Sequence, residues 1–307
     1  MGRFLSTQPV VLNLPTVIPT LPTRGGTVLA RSVLASPGGG FIGLATATQM
    51  GVETAMLSVL GTGPNSFMVR RELLKHGVKI LTDEVVGDIG VAIQMVESDG
   101  NTTVIVSTGI ESEPPVEKLS EIEIKDGDVV LAHGACLAME STAGDFVEWV
   151  AGIQPNATVV VSPSPMLDQL DARLWPPLLE RADIVTMNLR ESSLLPRLLA
   201  TQRPGANVRD YVREECIVVR RMGAMGCEWR QGSGERHVVP AFPSETVDTT
   251  GVGDTHIATM CASLALGYDI ETAILTANAA GAVMISHAYT FPVPSMREIS
   301  SVMGQAM

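Results

Sequence analysis

The most informative stretch of the sequence is residues 247–267, VDTTGVGDTHIATMCASLALG. In it, Gly251 and Gly253 flank one valine, Asp254 follows, and an Ala-rich run continues from there. Glycines let backbone N–H groups approach a ligand closely, and a helix N-terminus adds roughly half a positive charge. The stretch therefore predicts an anion site at the start of a helix, a place where phosphate oxygens would fit.

Asp254 would lie at the start of this helix, beside the bound anion. A carboxylate in that position could accept a proton from an attacking hydroxyl group, an arrangement that suits phosphoryl transfer. The spacing alone leaves an alternative open, in which Asp254 is a helix N-cap and the glycines form a tight turn.

Apolar runs alternate with helical patterns on both sides of this stretch, and no internal repeat is visible. This alternation predicts one α/β domain over residues 1–307, with a doubly wound, mostly parallel central sheet flanked by helices. Strands are predicted at 9–12, 54–59, 129–132, 158–162, 184–187 and 216–220. Helices are predicted at 40–50, 66–76, 143–151, 173–180, 254–266 and 270–286.

Two segments break the alternation, approximately residues 13–36 and 90–107. The second contains VAIQMVESDGNTTVIV, which is typical of a β-hairpin turning at Asp99-Gly100. Strands of this kind have no obvious place in a parallel central sheet. We expect the two segments to form a separate small β lid over the active site.

Composition narrows the function classes. The formal charge is -12, which argues against nucleic acid as a partner, because such binding depends on clustered Lys and Arg. The four cysteines are widely spaced without a CxxC pair, so neither a zinc site nor a disulfide framework is expected, and a cytoplasmic location is favoured. Because no run of about 18 apolar residues occurs, a membrane span is not expected either.

Residues 248–254, DTTGVGD, closely resemble the DTTGAGD signature of the ribokinase-like (phosphofructokinase B) family of carbohydrate and nucleoside kinases. Three further features resemble that family and occur in the family's order. They are the PGGG run at residues 37–40, the NLRE run at 188–191, which matches an NxxE motif, and the glycine loop within 219–226. The resemblance implies a ribokinase-like fold and an ATP-dependent kinase.

The resemblance implies roles for the residues around the signature. Asp254 would be the base that activates the acceptor hydroxyl, and the N–H groups of Gly251, Val252 and Gly253 would stabilise charge on the transferred phosphoryl group. Asn188 and Glu191 would organise Mg²⁺ through water molecules. From spacing alone, these two residues would instead be a strand-ending Asn and a first-turn Glu that favours the helix dipole.

The remaining nucleotide-side positions also follow from the resemblance. Asp248 and Thr250 resemble positions around a monovalent-cation site, so K⁺ joins ATP and Mg²⁺ among the implied cofactors. The other implied nucleotide-binding residues are Gly223, Gly226, Thr249 and Asn278.

On the acceptor side the chain departs from the family that it resembles. The acceptor-binding positions implied by the resemblance are Asn13, Gly38, Gly39, Gly40 and Gly43. Asn13 stands where many relatives have Asp, and Gly43 where they have Asn. The segments 61–65 and 162–164 also lack the family's usual carboxylates. We interpret these changes as a kinase with an unusual acceptor.

Three hypotheses for function remain at this level. The leading one is a kinase for a sugar or polyol; a nucleoside kinase is the alternative within the same chemistry, although aromatic residues are only 4% of the chain. A non-catalytic protein that binds a sugar or nucleotide is the third. A homodimer formed through the lid is a further expectation. His256 is expected to pack in the core, because two residues along a helix turn it away from Asp254.

Overall fold

The computed structural model describes residues 2–98, 102–287 and 293–305. The strands, in chain order, are β1 (Phe4–Ser6), β2 (Val10–Val17), β3 (Ser32–Val33), β4 (Ser36–Gly39), β5 (Thr54–Met56), β6 (Lys79–Ile80), β7 (Val91–Val96), β8 (Thr102–Ser107), β9 (Val129–His133), β10 (Thr158–Ser162), β11 (Ile184–Asn188), β12 (Ile217–Arg221), β13 (Cys227–Gln231) and β14 (His237–Val239). The α-helices are α1 (Gly40–Gln49), α2 (Pro64–Lys75), α3 (Val116–Glu121), α4 (Glu140–Ala151), α5 (Trp175–Arg181), α6 (Leu189–Gln202), α7 (Val252–Ala265), α8 (Ile270–Ile285) and α9 (Met296–Gln305).

The central sheet has nine strands in the order β14-β13-β12-β11-β10-β9-β1-β5-β6. In this order the seven strands β12, β11, β10, β9, β1, β5 and β6 are parallel to one another. Strands β13 and β14 extend the sheet with antiparallel pairing. This arrangement confirms the predicted fold class, since most of the sheet is parallel and buried. Short Val-rich strands such as β10, TVVVS, suit this position because both of their faces are covered.

Helices cover both faces of the central sheet. Alternate residues of β9 show this directly, because Val129 and Leu131 belong to one hydrophobic cluster and Val130 belongs to the other. The first cluster is completed by α1, α2, α7 and α8, and the second by α3, α4, α5 and α6. Since the side chains of a strand alternate between faces, one buried sheet supplies both cores.

A second sheet has five strands in the order β3-β2-β7-β8, with β4 also paired to β2. It corresponds to the two segments predicted to leave the central sheet, and β7 pairs antiparallel with β8 as the predicted hairpin requires. The predicted turn at Asp99-Gly100 lies outside the described residues. We call this second sheet the lid sheet.

Several predicted boundaries were wrong in detail. The strand predicted at 9–12 is the first part of β2 in the lid sheet, and the first strand of the central sheet is the three-residue β1. The strand predicted at 54–59 ends at Met56. The helix predicted at 173–180 begins as a 3₁₀ turn over Ala172–Leu174 before α5. Short elements like β1 carry too few residues for a recognisable period.

Among the described residues, no helix combines the length and the apolar character needed to cross a membrane.

Candidate active site

The candidate site lies where parallel strands of the central sheet end. Gln8 follows β1, while His133, Ser162, Asn188 and Arg221 are the last residues of β9, β10, β11 and β12. The carboxyl ends of neighbouring parallel strands meet at one edge of a sheet, and this edge is where open α/β proteins bind ligands. Residues far apart in sequence therefore come together here.

Helix α7 supplies the centre of the site. Gly251 is its N-cap, with φ of 72°, a left-handed conformation that glycine adopts without strain. Asp254 then lies in the first turn of the helix. A side chain at Gly251 would also collide with Ile42, because an added Cβ would lie 2.6 Å from its Cδ1. The glycine is thus required both by the turn and by its packing against α1.

Two cavities open on either side of this turn. The lid-side cavity has a volume of about 440 Å³ and is bordered by Val11 and Val106 of the lid sheet and by Asp254. The loop-side cavity has a volume of about 560 Å³ and is bordered by the turn that contains Gly223 and Gly226. Both volumes fall in the usual range of small-molecule sites.

The two cavities share three lining residues, Asn188, Arg221 and Gly253. The shared residues form a junction beside the first turn of α7. Two ligands, one in each cavity, would therefore meet next to Asp254.

Asp254 has one direct side-chain partner within the described residues. Gln8 Nε2 donates a hydrogen bond of 2.7 Å to Asp254 Oδ1. Burial raises the pKa of Asp254, while the Gln8 hydrogen bond and the positive charge of Arg221 act in the opposite direction. The carboxyl group is therefore both oriented and made more basic than an exposed aspartate.

Asn188 and Glu191 form a reciprocal cap at the start of α6. Asn188 Oδ1 accepts a hydrogen bond of 2.8 Å from Glu191 N, and Glu191 Oε2 accepts one of 2.8 Å from Asn188 N. Arg221 Nη2 lies 3.1 Å from the same Oε2. Burial is the largest influence on Glu191 and raises its pKa, against the lowering effect of Arg221. The pair thus has a structural role, which the spacing had left open, and also lines the lid-side cavity.

The structure places the remaining nucleotide-side residues as follows. Val252, Gly223, Gly226 and Asn278 line the loop-side cavity. Asn278 Nδ2 donates to the carbonyl oxygens of Val239 and Pro240, at 3.1 Å and 3.0 Å. Its amide therefore holds the strand end that borders the cavity.

Asp248, Thr249 and Thr250 lie in the loop before α7, outside the lining of both cavities. Asp248 Oδ1 accepts a hydrogen bond of 2.9 Å from Thr250 N. Among the described residues, no group of three or more His, Cys, Asp or Glu side chains is arranged to hold a metal ion.

The implied acceptor residues are not all brought to the lid-side cavity. Gly39 lines it, but Asn13, Gly38, Gly40 and Gly43 do not. Asn13 lies in β2 with its buried side chain against Gly38. Gly43 lies where α1 crosses α7, since an added Cβ would be 3.0 Å from the Cβ of Ala258. These positions shape the backbone around the cavity.

Sequence reasoning missed several residues that line the lid-side cavity, among them Gln8, Glu111, His133 and Arg221. His133 and Arg221 each directly follow a predicted strand. They could have been found from the rule that open α/β proteins bind ligands at the carboxyl ends of their strands. Gln8 was hidden because β1 is so short. Glu111 accepts hydrogen bonds from the N–H groups of Gly90 and Gly109, and so holds both ends of the lid hairpin. Only the fold brings it to the site.

His256 is buried and faces away from Asp254, as expected. Its Nε2 lies 3.0 Å from Asn278 Oδ1 and 3.2 Å from Cys227 Sγ. Burial lowers the pKa of His256 to about 3, so it is neutral at physiological pH.

A helix that begins at a glycine carries a carboxylate in its first turn, at the junction of two cavities along the carboxyl edge of a parallel sheet. This arrangement suits a small-molecule phosphotransferase. The family model described as pfkB family carbohydrate kinase matches residues 15–295. The chain belongs to this family.

Individual relatives agree with this assignment. An uncharacterized sugar kinase of Escherichia coli is 26% identical over 283 residues, covering 91% of this chain and 87% of that protein. An ATP-dependent ribose-1-phosphate kinase of Halopiger xanaduensis is 29% identical over 289 residues, covering 92% of each protein. The crystal structure of a Methanocaldococcus jannaschii nucleoside kinase, an archaeal member of the ribokinase family, superimposes with a TM-score of 0.80 at 15% identity, covering 99% of this chain and 100% of that one. This last likeness establishes the fold.

Proposed function

We propose that the protein transfers the γ-phosphoryl group of ATP to a hydroxyl group of a sugar or polyol, with Asp254 as the catalytic base. One observation carries the proposal: Asp254 lies in the first turn of α7, beside the residues that the two cavities share. The acceptor would occupy the lid-side cavity, and ATP the loop-side cavity. Their reacting atoms would then meet at the N-terminus of a helix.

The chemistry follows from this arrangement. The Asp254 carboxylate takes the proton of the acceptor hydroxyl as its oxygen forms a bond to the γ-phosphorus. The bond between that phosphorus and the bridging oxygen of ADP breaks, and ADP leaves. The N–H groups of Gly251, Val252 and Gly253 would stabilise the charge that develops on the transferred group, and the Val252 N–H would exchange its 3.4 Å hydrogen bond to Thr249 O for this contact. The raised pKa of Asp254 makes it a stronger base, although it must be ionised to act.

On the nucleotide side, the turn with Gly223 and Gly226 would border ATP together with Asn278, whereas Thr249 lies outside the lining of this cavity. Oxygen ligands suit Mg²⁺, and Asn188 and Glu191 offer them at the junction. Both hydrogen-bonded contacts of the Glu191 carboxylate end on Oε2, so Oε1 is the oxygen that a hydrated cation would approach. When bound, Mg²⁺ neutralises charge on the phosphates.

A K⁺ ion near Asp248 and Thr250 is part of the same proposal. The structure places both residues outside the two cavities, and Asp248 Oδ1 already accepts a hydrogen bond from Thr250 N. Activity measured in K⁺ and in Na⁺ at equal ionic strength tests it. Equal rates in the two salts would remove K⁺ from the mechanism.

The lining of the lid-side cavity favours a sugar or polyol over a nucleoside. Within the described residues, no Phe, Tyr or Trp borders it, and the imidazole of His133 is the one aromatic ring in its lining. Phe41, the one aromatic near the PGGG run, is fully buried instead. Its polar lining includes four hydroxyl groups and three carboxyl groups, while Val11, Val106 and Ile257 form apolar walls.

The lid sheet would close over the acceptor and exclude water. Its exposed apolar residues also support pairing of two lid sheets in a homodimer, since Val33, Leu34, Val104 and Ile105 are each about half exposed or more. Light scattering of the native chain and of Ile105→Glu tests this. A monomeric mass for the native chain would exclude the dimer.

A cytoplasmic location is supported by the four cysteines, all of which are buried and free.

The decisive experiment substitutes the base. Asp254→Asn should lower kcat by roughly 10²- to 10⁴-fold with little change in ATP affinity. Asp269→Asn is the matched control, because Asp269 caps α8 far from the cavities and Asn is an equally good cap. The assay is ADP production against a panel of sugars, polyols and nucleosides. Full activity in Asp254→Asn would overturn the assignment, and binding of ATP without turnover on any acceptor would favour a non-catalytic binding protein.

A further inference from the structure

Arg221 is the last residue of β12 and borders both cavities. Its backbone is paired with Asn188 on one side and with Cys227 on the other. The side chain therefore extends from an interior strand at the end of the sheet where the cavities lie. The side chain is only 12% exposed. Among the described residues that line the two cavities, Arg221 is the only Lys or Arg. The site thus has a single fixed positive charge.

The guanidinium group is only partly neutralised. Nη2 donates to Glu191 Oε2 at 3.1 Å, whereas Nε is buried with no hydrogen-bond partner among the described residues. Nη1 lies beside Gly253, since an added Cβ there would be 3.2 Å away from it. A buried donor without a partner is unfavourable, so an additional hydrogen-bond acceptor beside the Arg221 guanidinium group would be stabilising.

The position beside Gly253 is electrostatically unusual. The N-terminus of α7 carries a partial positive charge, and a cation normally destabilises that end of a helix. Arg221 places a second positive charge against it. Burial is the main cause of the lowered pKa values of His133 and His256, and the charge of Arg221 acts in the same direction. Two positive groups that face one small volume favour an anion between them.

We propose that Arg221 is a catalytic residue whose guanidinium group binds the transferred phosphoryl group at the junction of the two cavities. The inference rests on the proposed kinase function and adds a residue to it. A guanidinium group can donate two parallel hydrogen bonds to phosphoryl oxygens, which a lysine ammonium cannot do in the same plane. Negative charge is spread over those oxygens during transfer, so the contact stabilises the transition state.

Binding measurements locate the contact. Arg221→Met should weaken binding of a non-hydrolysable ATP analogue by at least tenfold and leave ADP binding nearly unchanged, because only the analogue carries the terminal phosphoryl group. Arg220→Met is the matched control, since Arg220 precedes Arg221 in β12 but pairs with Glu228 and Ser192 outside both cavities. Isothermal titration calorimetry measures both ligands. Equal weakening of ADP and the analogue, or no weakening of either, would overturn the proposal.

Kinetics and chemical rescue complete the test. Arg221→Met should lower kcat by about 10²- to 10³-fold, the range for removing one oxyanion donor. Arg221→Lys should recover only part of this loss, and added guanidinium ion should raise the rate of Arg221→Ala. If loss of the Glu191 ion pair unfolds the Met variant, the Lys variant still reports the difference between ADP and analogue binding. Absence of turnover in the native protein would instead contradict the proposed function, and the two binding affinities would still test Arg221.

Discussion

The hydrogen bond from Gln8 to Asp254 gives a sharp prediction for catalysis. The bond is 2.7 Å long, and it joins a neutral amide to a carboxyl group that must be ionised to act as a base. Hydrogen bonds to charged groups contribute about 1.5–3 kcal/mol. Because each 1.36 kcal/mol corresponds to a factor of ten, removing this bond should lower the ionised population of the base by roughly 10- to 10²-fold wherever ionisation limits the rate.

The perturbation is Gln8→Leu, which keeps the side-chain size and removes the donor. Without the donor, the pKa of Asp254 rises further, so the acid limb of the kcat/KM profile moves to higher pH. On that limb kcat/KM should fall by roughly 10- to 10²-fold. On the alkaline plateau, where the base is ionised in both proteins, the two values should differ only a few-fold.

The assay is kcat/KM measured by ADP production over a range of pH, with Gln49→Leu as the control. Gln49 is exposed at the end of α1, so its loss should leave the profile unchanged. A loss that is the same at every pH would refute the reasoning, because it would mean that Gln8 binds the acceptor without tuning the base. An unchanged profile in Gln8→Leu would refute it as well.

Three further predictions concern neighbouring groups. His133 Nδ1 accepts a hydrogen bond from Ala135 N, and burial lowers the pKa of His133 to about 4, so the imidazole is neutral with its proton on Nε2, available to a ligand in the lid-side cavity. His133→Phe should therefore raise the acceptor KM by roughly 2- to 10-fold in initial-rate kinetics. A change in the ATP KM alone would contradict this. Asn188→Ala removes the N-cap of α6, so it should lower the free energy of unfolding in urea by about 1 kcal/mol and should also reduce activity. Asn207→Ala removes a similar cap outside the cavities and should leave activity intact. The pKa of Asp254 is raised in the folded protein, so its ionisation destabilises the fold as pH rises from the ordinary aspartate pKa through the raised pKa. In calorimetry at pH 7, Asp254→Asn should therefore unfold at a higher temperature than the native chain. This difference should vanish below the ordinary aspartate pKa.

The sequence alone was sufficient for the features that depend on local pattern. The stretch at residues 247–267 predicted a glycine turn and a helix with Asp254 at its start, and α7 has that form, with Gly251 in the left-handed conformation. The NLRE run predicted a strand end followed by a helix, and Asn188 caps α6 there. These features are readable because the residues that produce each one are within a few positions of each other.

Other features were decided only by the tertiary structure. Gln8 and Asp254 are 246 residues apart, yet their side chains share a hydrogen bond, because β1 ends beside the first turn of α7. Arg221 reaches the junction since β12 ends at the same sheet edge as β11. Asn13, by contrast, is expected at the acceptor from the family resemblance, and its side chain lies against Gly38. Local sequence determines which groups a strand end carries, whereas the order and register of the strands decide which of those groups meet, because that order depends on contacts distributed over the whole chain.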